Sequence, residues 1–153
     1  MKIIDLLDPA AISADLQAST KAEVLGELTD ALMRVEPSLD RDEVVAILQE
    51  REQLGSTGIG DGVAIPHGKL RKLDKLLISF GRSRGGIDFD SMDGRPAQLF
   101  FLLVAPEESV GVHLKTLARI SKLLKNPSVR QALLDAEDAE SIYGIIARQE
   151  ESL

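Results

Sequence analysis

Residues 51–68 read REQLGSTGIGDGVAIPHG and join three kinds of backbone. Upstream, Asp40 and Glu43 carry a helix-start signal, and Val44, Ile47 and Leu48 form an apolar stripe, so a helix is predicted to run to about Glu52. Gly55, Gly58, Gly60 and Gly62 then crowd together, which predicts a loop, because no regular element tolerates that much backbone freedom. Val63 to His67 follows as a short extended segment: Pro66 biases Ile65 away from helix and removes one donor from any ladder. His67 is thereby expected near a strand end.

Outward from this block, Thr20 and Glu23 have capping-box spacing, and Val24, Leu25, Leu28 and Leu32 recur at helical intervals, predicting a helix over 21–35 that stops before Pro37. Downstream, Leu76 to Phe80 and Ala97 to Val104 are short apolar runs. The second is nearly uninterrupted, as in a strand covered on both faces. Between them, GRSRGGIDFDSMDGRP reads as a turn-rich connection. Ser109 is a candidate N-cap for a helix whose apolar face carries Val110, Leu114, Leu117 and Leu124. Asn126-Pro127 fits the cap and first position of another, and Ile142, Ile145 and Ile146 mark a last one. Helices and strands interleave without repeat, low-complexity tract or linker. The expected fold is α/β, a single-domain sandwich over residues 1–153 with a mixed β-sheet flanked by α-helices.

Composition narrows the function classes. With four Phe, one Tyr and no Trp, the core must come from Leu, Ile, Val and Ala, and an aromatic platform for single-stranded nucleic acid is disfavoured. Eighteen basic against 25 acidic residues give a formal charge of -7, which repels a phosphate backbone, so no nucleic-acid partner is expected. The absence of cysteine excludes disulfides, thiolate metal sites and a cysteine nucleophile, and fits a reducing compartment. Asp5, Asp8 and Pro9 interrupt the N-terminal apolar stretch, which is therefore not read as a signal sequence. Leu99 to Ala105, the longest apolar run, is far short of the roughly 20 residues that span a bilayer, so no membrane insertion and a cytoplasmic location are expected.

The chain has two histidines, His67 and His113. His67 follows a glycine-rich segment whose N–H groups could form an anion nest, with Ser56, Thr57 and Gly58 as candidate phosphate-loop residues. His113 falls in the first turn of its predicted helix, where unpaired N–H groups favour negative charge. Arg51 adds a planar fork of donors suited to phosphate oxygens. An imidazole nucleophile with fixed donors is what phosphoryl transfer requires. The loop lacks the Gly-Lys-Ser/Thr of a Walker A, and Pro66 excludes the helix that a dinucleotide fingerprint needs next. Plainer roles stand beside these. Ser56 and Thr57 suit local turn chemistry equally well. Lys69, Arg71, Lys72 and Lys75 read as a solvated turn, and Glu137, Asp138, Glu140, Glu150 and Glu151 as a solvated helix face.

The block Arg51-Glu52, Gly55-Ser56-Thr57-Gly58-Ile59-Gly60 and Ala64-Ile65-Pro66-His67-Gly68 strongly resembles the enzyme IIA domains of the fructose and mannitol phosphotransferase type. Within that type it is most like the nitrogen-regulatory enzyme IIA. The likeness continues through Asp93-Gly94-Arg95-Pro96, the strand ending at Ala105-Pro106, and His113-Leu114. It implies a phosphotransferase activity with His67 as phosphoacceptor, and supporting roles for Arg51 and His113. It also implies a histidine-containing phosphocarrier protein as donor, with no metal and no bound cofactor. The acceptor would be a set of regulatory target proteins or, in a sugar-transport component, a IIB protein. An expectation of another class is a protein-binding module whose histidine is never phosphorylated.

Overall fold

The structure, a computed structural model, describes residues 2–153. Its spine is the apolar run read as a doubly covered strand, which forms β6 (Ala97–Pro106). Successive β6 side chains go to opposite faces, as the period of two demands. Leu99, Phe101 and Leu103 enter one buried cluster, and Phe100, Leu102 and Val104 enter another. The remaining strands are β1 (Leu7–Ser13), β2 (Gly58–Gly60), β3 (Val63–Ala64), β4 (His67–Leu70) and β5 (Leu77–Ile87). They make a six-stranded sheet in the order β1-β5-β6-β3-β2, with β4 continuing β3's side of β6. β5 pairs antiparallel to β6, whereas β3 and β4 run parallel to it, so the sheet is mixed.

Helices cover both faces. α2 (Lys21–Met33) and α3 (Arg41–Gln53) pack on one through Val24, Leu25, Leu28, Leu32, Val44 and Leu48. α1 (Ile3–Leu6), α4 (Val110–Leu124), α5 (Pro127–Asp135) and α6 (Ala139–Glu150) pack on the other through Ile3, Ile120, Leu123, Leu133, Ile142 and Ile146. The α/β sandwich expected from the sequence is therefore observed. Thr20 and Glu23 form the expected capping box, and Asn126 caps the helix opened by Pro127.

Three local expectations are corrected. β5 runs on through GRSRGGI, which had read as a turn. Fully buried Arg82 explains this: its Nε donates to Ala14 O at 2.9 Å and its Nη1 to Leu133 O at 2.9 Å, so the strand is held against the C-terminus of α5. The glycine segment is not wholly loop, because β2 pairs antiparallel with β3 around a turn in which Gly60, Asp61 and Gly62 all have positive φ. The N-terminal residues, for which the sequence pattern predicts no element, form α1 and β1, and β1 is the parallel partner of β5. Glu150 is buried rather than solvated: its carboxylate accepts Arg119 Nε at 2.7 Å and the N–H groups of Ile3 and Ile4, tying α6 to the start of α1. Glu137, Asp138, Glu140 and Glu151 are exposed as expected.

Candidate functional site

β4 begins at His67, opposite Leu103 of β6, and Pro66 O accepts the Leu103 N–H at 3.0 Å. Pro66 separates β3 from β4 and gives the chain one acceptor and no donor there. The packing around β4 is tight, since a Cβ on Gly68 would lie 2.6 Å from Ile47 Cγ2, so α3 can approach the strand only over glycine. This brings the end of α3 beside His67.

The His67 ring is half-buried, with Nδ1 at 2.8 Å from Ile65 O. A carbonyl oxygen only accepts, so Nδ1 carries the hydrogen and Nε2 is left with the lone pair. Burial lowers the His67 pKa, the Ile65 carbonyl opposes that, Arg51 lowers it and Glu52 raises it. The net direction is down, so the ring is neutral at pH 7. His113, 5% exposed, lies with its ring centroid 5.3 Å from that of His67 and its plane tilted by 54°. Burial first, then the charges of His67 and Lys69, push its pKa down to about 4. Its Nδ1 is buried with no hydrogen-bond partner among the described residues.

Arg51, Leu54, His67, Lys69, His113 and Leu114 share one open hollow of about 770 Å³. Arg51 Nη1 donates to Gly55 O at 3.0 Å, which closes the C-terminus of α3 and leaves the rest of the fork available. Leu54 and Leu114 are 84% and 58% exposed, unusual for leucine, and give the hollow an apolar rim.

Ser56, Thr57, Gly58 and Ser109, all selected from the sequence, stand outside this hollow. Ser56 Oγ donates to Phe89 O at 2.6 Å and accepts the Gly58 N–H at 3.0 Å. Thr57 is buried, with its N–H and hydroxyl both given to the Glu52 carboxylate. The hydroxyls of Ser56 and Thr57 and the N–H groups of Thr57 and Gly58 are thus already paired within the protein. Ser109 occupies the N-cap position of α4 without capping it, because its hydroxyl donates to Pro106 O at 3.2 Å. The His113 N–H is paired with Ser109 O at 3.2 Å, so the free donors of α4 belong to the residues just before it. Lys69, Arg71, Lys72 and Lys75 are exposed as expected, but Lys69 lies on β4 rather than in a turn; Lys69 and Arg71 line the hollow, and Arg71 and Lys75 pair with Glu107 and Glu36. No cluster of metal-ligating side chains occurs among the described residues, and none of their helices is long and apolar enough to cross a membrane.

The depressed histidine pKa values carry a stability consequence. Between pH 6.5 and about 4 the unfolded chain binds a proton at His113 that the folded chain refuses, so stability falls as pH drops through that window. His113 alone accounts for up to roughly 3 kcal/mol. Urea titrations of wild type and His113→Asn at pH 7.5 and 4.5 are expected to show a smaller pH loss in the variant; equal losses would contradict the assignment.

The chain matches the family described as phosphoenolpyruvate-dependent sugar phosphotransferase system, EIIA 2, over residues 5–149. A nitrogen regulatory protein of Bradyrhizobium diazoefficiens is 44% identical over 147 residues, covering 96% of this chain and 95% of that relative. The fructose-specific EIIABC component of the same phosphotransferase system in Bacillus subtilis is 38% identical over 146 residues, 95% of this chain but 23% of that much longer protein. Among solved structures, the nitrogen regulatory protein IIA-Ntr of Neisseria meningitidis superposes with a TM-score of 0.88 at 35% identity, covering 94% of this chain and 98% of that one.

Proposed function

The chain belongs to the EIIA 2 family of the phosphoenolpyruvate-dependent sugar phosphotransferase system, and from that membership we propose that it is a cytoplasmic phosphocarrier taking a phosphoryl group on Nε2 of His67. The observation that carries this is the 2.8 Å bond from His67 Nδ1 to Ile65 O, which presents a neutral imidazole with its lone pair on Nε2.

The donor is a phosphohistidine on a histidine-containing phosphocarrier protein. The Nε2 lone pair forms the new N–P bond while the donor's N–P bond breaks, its electron pair returning to the donor ring. Nδ1 keeps its hydrogen on Ile65 O, so the product ring is cationic and carries a phosphoryl dianion. Arg51 and Lys69 supply positive charge in the same hollow, and His113 supplies an imidazole next to His67. Fixed charges of this kind favour a transition state whose charge is spread over the equatorial oxygens. The apolar rim of Leu54 and Leu114 suits a protein donor and acceptor. The phosphoryl dianion on the cationic ring adds about one net negative charge and three acceptor oxygens in the middle of that rim, so a partner can distinguish the two forms.

The near end-to-end match to a nitrogen regulatory protein favours a regulatory output through target proteins. The 38% identity to part of a fructose-specific component supports a second reading, transfer onward to a IIB protein during sugar uptake. Both share the chemistry at His67. Incubating the protein with phosphoenolpyruvate, enzyme I and the histidine phosphocarrier should add about 80 Da, one phosphoryl group. Adding a IIB protein then separates the readings: rapid loss of the adduct indicates transport, a lasting adduct indicates regulation. No adduct with donor proteins active on another IIA domain would refute the proposal and favour the plain binding module.

A further inference from the structure

Glu52 follows Arg51 in the last turn of α3, and its side chain is 5% exposed. It does not line the hollow around His67, yet it is among the most heavily bonded carboxylates in the molecule. Its oxygens accept the Thr57 N–H at 3.0 Å, the Thr57 hydroxyl and Lys21 Nζ at 3.0 Å. Lys21 is itself fixed, with Nζ 4.7 Å from the centre of the Phe89 ring. A carboxylate removed from water is costly unless its lone pairs are filled, and here they are filled by the loop that precedes His67.

The backbone continues the connection. Thr57 O accepts the Ile65 N–H at 3.0 Å, and Ile65 O accepts the His67 Nδ1–H at 2.8 Å. Three links therefore join Glu52 to the imidazole through Thr57 and Ile65. Ile65 has no ladder partner of its own in the sheet, since β3 ends at Ala64 and β4 starts at His67. Its carbonyl position thus depends on the Thr57 contact.

We propose that Glu52 is a positioning residue for phosphoryl transfer: by anchoring Thr57 it holds the Ile65 carbonyl where it keeps the hydrogen on Nδ1 and the lone pair on Nε2 of His67. Its negative charge also opposes that of Arg51 at the ring. That balance matters chemically, because the imidazole gains a full positive charge as Nε2 bonds to phosphorus. Glu52 touches no reacting atom. This inference rests on the phosphocarrier reading for its kinetic consequence, but its effect on the resting ring is independent of it.

The test uses Glu52→Ala, Glu52→Gln and Thr57→Val in the full chain, with 15N-histidine NMR of the unphosphorylated protein and phosphoryl-transfer kinetics from the histidine phosphocarrier. In Glu52→Ala the His67 ring should lose its single Nδ1–H tautomer and become a mixture. The limiting transfer rate should fall about 10- to 100-fold with the KM for the donor unchanged within about twofold. Glu52→Gln keeps the acceptor for the Thr57 N–H and should retain the tautomer while recovering part of the rate. Thr57→Val removes only the hydroxyl and should shift the tautomer in the same direction as Glu52→Ala, to a smaller extent. A wild-type tautomer in both Glu52→Gln and Thr57→Val, together with a wild-type rate, would overturn the proposal even if Glu52→Ala failed to fold. A wild-type protein that takes no phosphoryl group at all would instead refute the phosphocarrier reading, and the NMR result would still decide the role of Glu52.

Discussion

His67→Ala is expected to take up no phosphoryl group under conditions that label the wild type fully, a loss on the order of 10⁴-fold or more in transfer rate. The size of the effect follows from what is removed, because a nucleophile that forms the covalent bond has no substitute. His113 does not replace it. Its pKa of about 4 marks a weakly basic ring, and its Nδ1 is buried. The fold should survive the change. Among the described residues the one side-chain hydrogen bond of His67 goes to a carbonyl two residues away, and loss of such a contact costs about 1 kcal/mol. Intact mass after incubation with phosphoenolpyruvate and the donor proteins, together with a thermal melt, checks both parts. A phosphorylated His67→Ala would displace the chemistry from this residue.

Arg82→Ala is expected to be the most damaging single change to stability, by about 3–5 kcal/mol, although residue 82 is remote in sequence from the site. The side chain is wholly buried and gives Nε to Ala14 O and Nη1 to Leu133 O and Ala136 O. These acceptors belong to the residue that follows β1 and to the C-terminus of α5, where helix carbonyls have no intrahelical partner. Removing the guanidinium leaves Leu133 O buried and unsatisfied, takes one of two arginine donors from Ala136 O and the donor from part-buried Ala14 O, and opens a cavity between sheet and helix. For a chain of this size the melting temperature should fall by roughly 10 °C or more. Arg84→Ala is a useful contrast, since Arg84 is exposed and bonds to Leu134 O and Ala136 O from outside, and its loss should cost about 1 kcal/mol. Equal melting curves for Arg82→Ala and wild type would contradict this account of how α5 is held.

The same arginine shows why part of the fold was not legible beforehand. Local pattern predicts elements whose residues face water on one side or core on the other, which is why β6 and the helices from Thr20, Asp40 and Asn126 appear in the sequence. It misreads a strand such as Gly81–Ile87, where charge and glycine suggest a turn and only a helix terminus packed from across the molecule explains the buried cation. Gly81 has a similar cause, since a Cβ there would come within 2.8 Å of Leu16 and Leu28. Glu150 is a second instance: nothing beside it in sequence says that the N–H groups of Ile3 and Ile4 will need an acceptor.

At the site, the motif block marked His67 and Arg51, and the structure brings both into one hollow with His113. Ser56 and Thr57 carried the right hydroxyls, but their partners, Phe89 O and Glu52, are tertiary or cross-turn contacts that no spacing rule reveals. Glu52 stands in the same motif block, but neither the motif nor its helix-end position assigns it a role. Its importance becomes visible only when the hydrogen bonds are followed from Thr57 to Ile65 and on to the ring.

In the proposed mechanism Nε2 of His67 forms the bond to phosphorus while Nδ1 keeps its hydrogen on Ile65 O. NMR of the 15N-histidine protein after phosphorylation through the histidine phosphocarrier tests it most directly. The expected spectrum has phosphorus coupled to Nε2 of His67, a hydrogen on Nδ1 of the same ring, and His113 unmodified. Phosphorus on Nδ1 of His67, or on His113, would contradict the account.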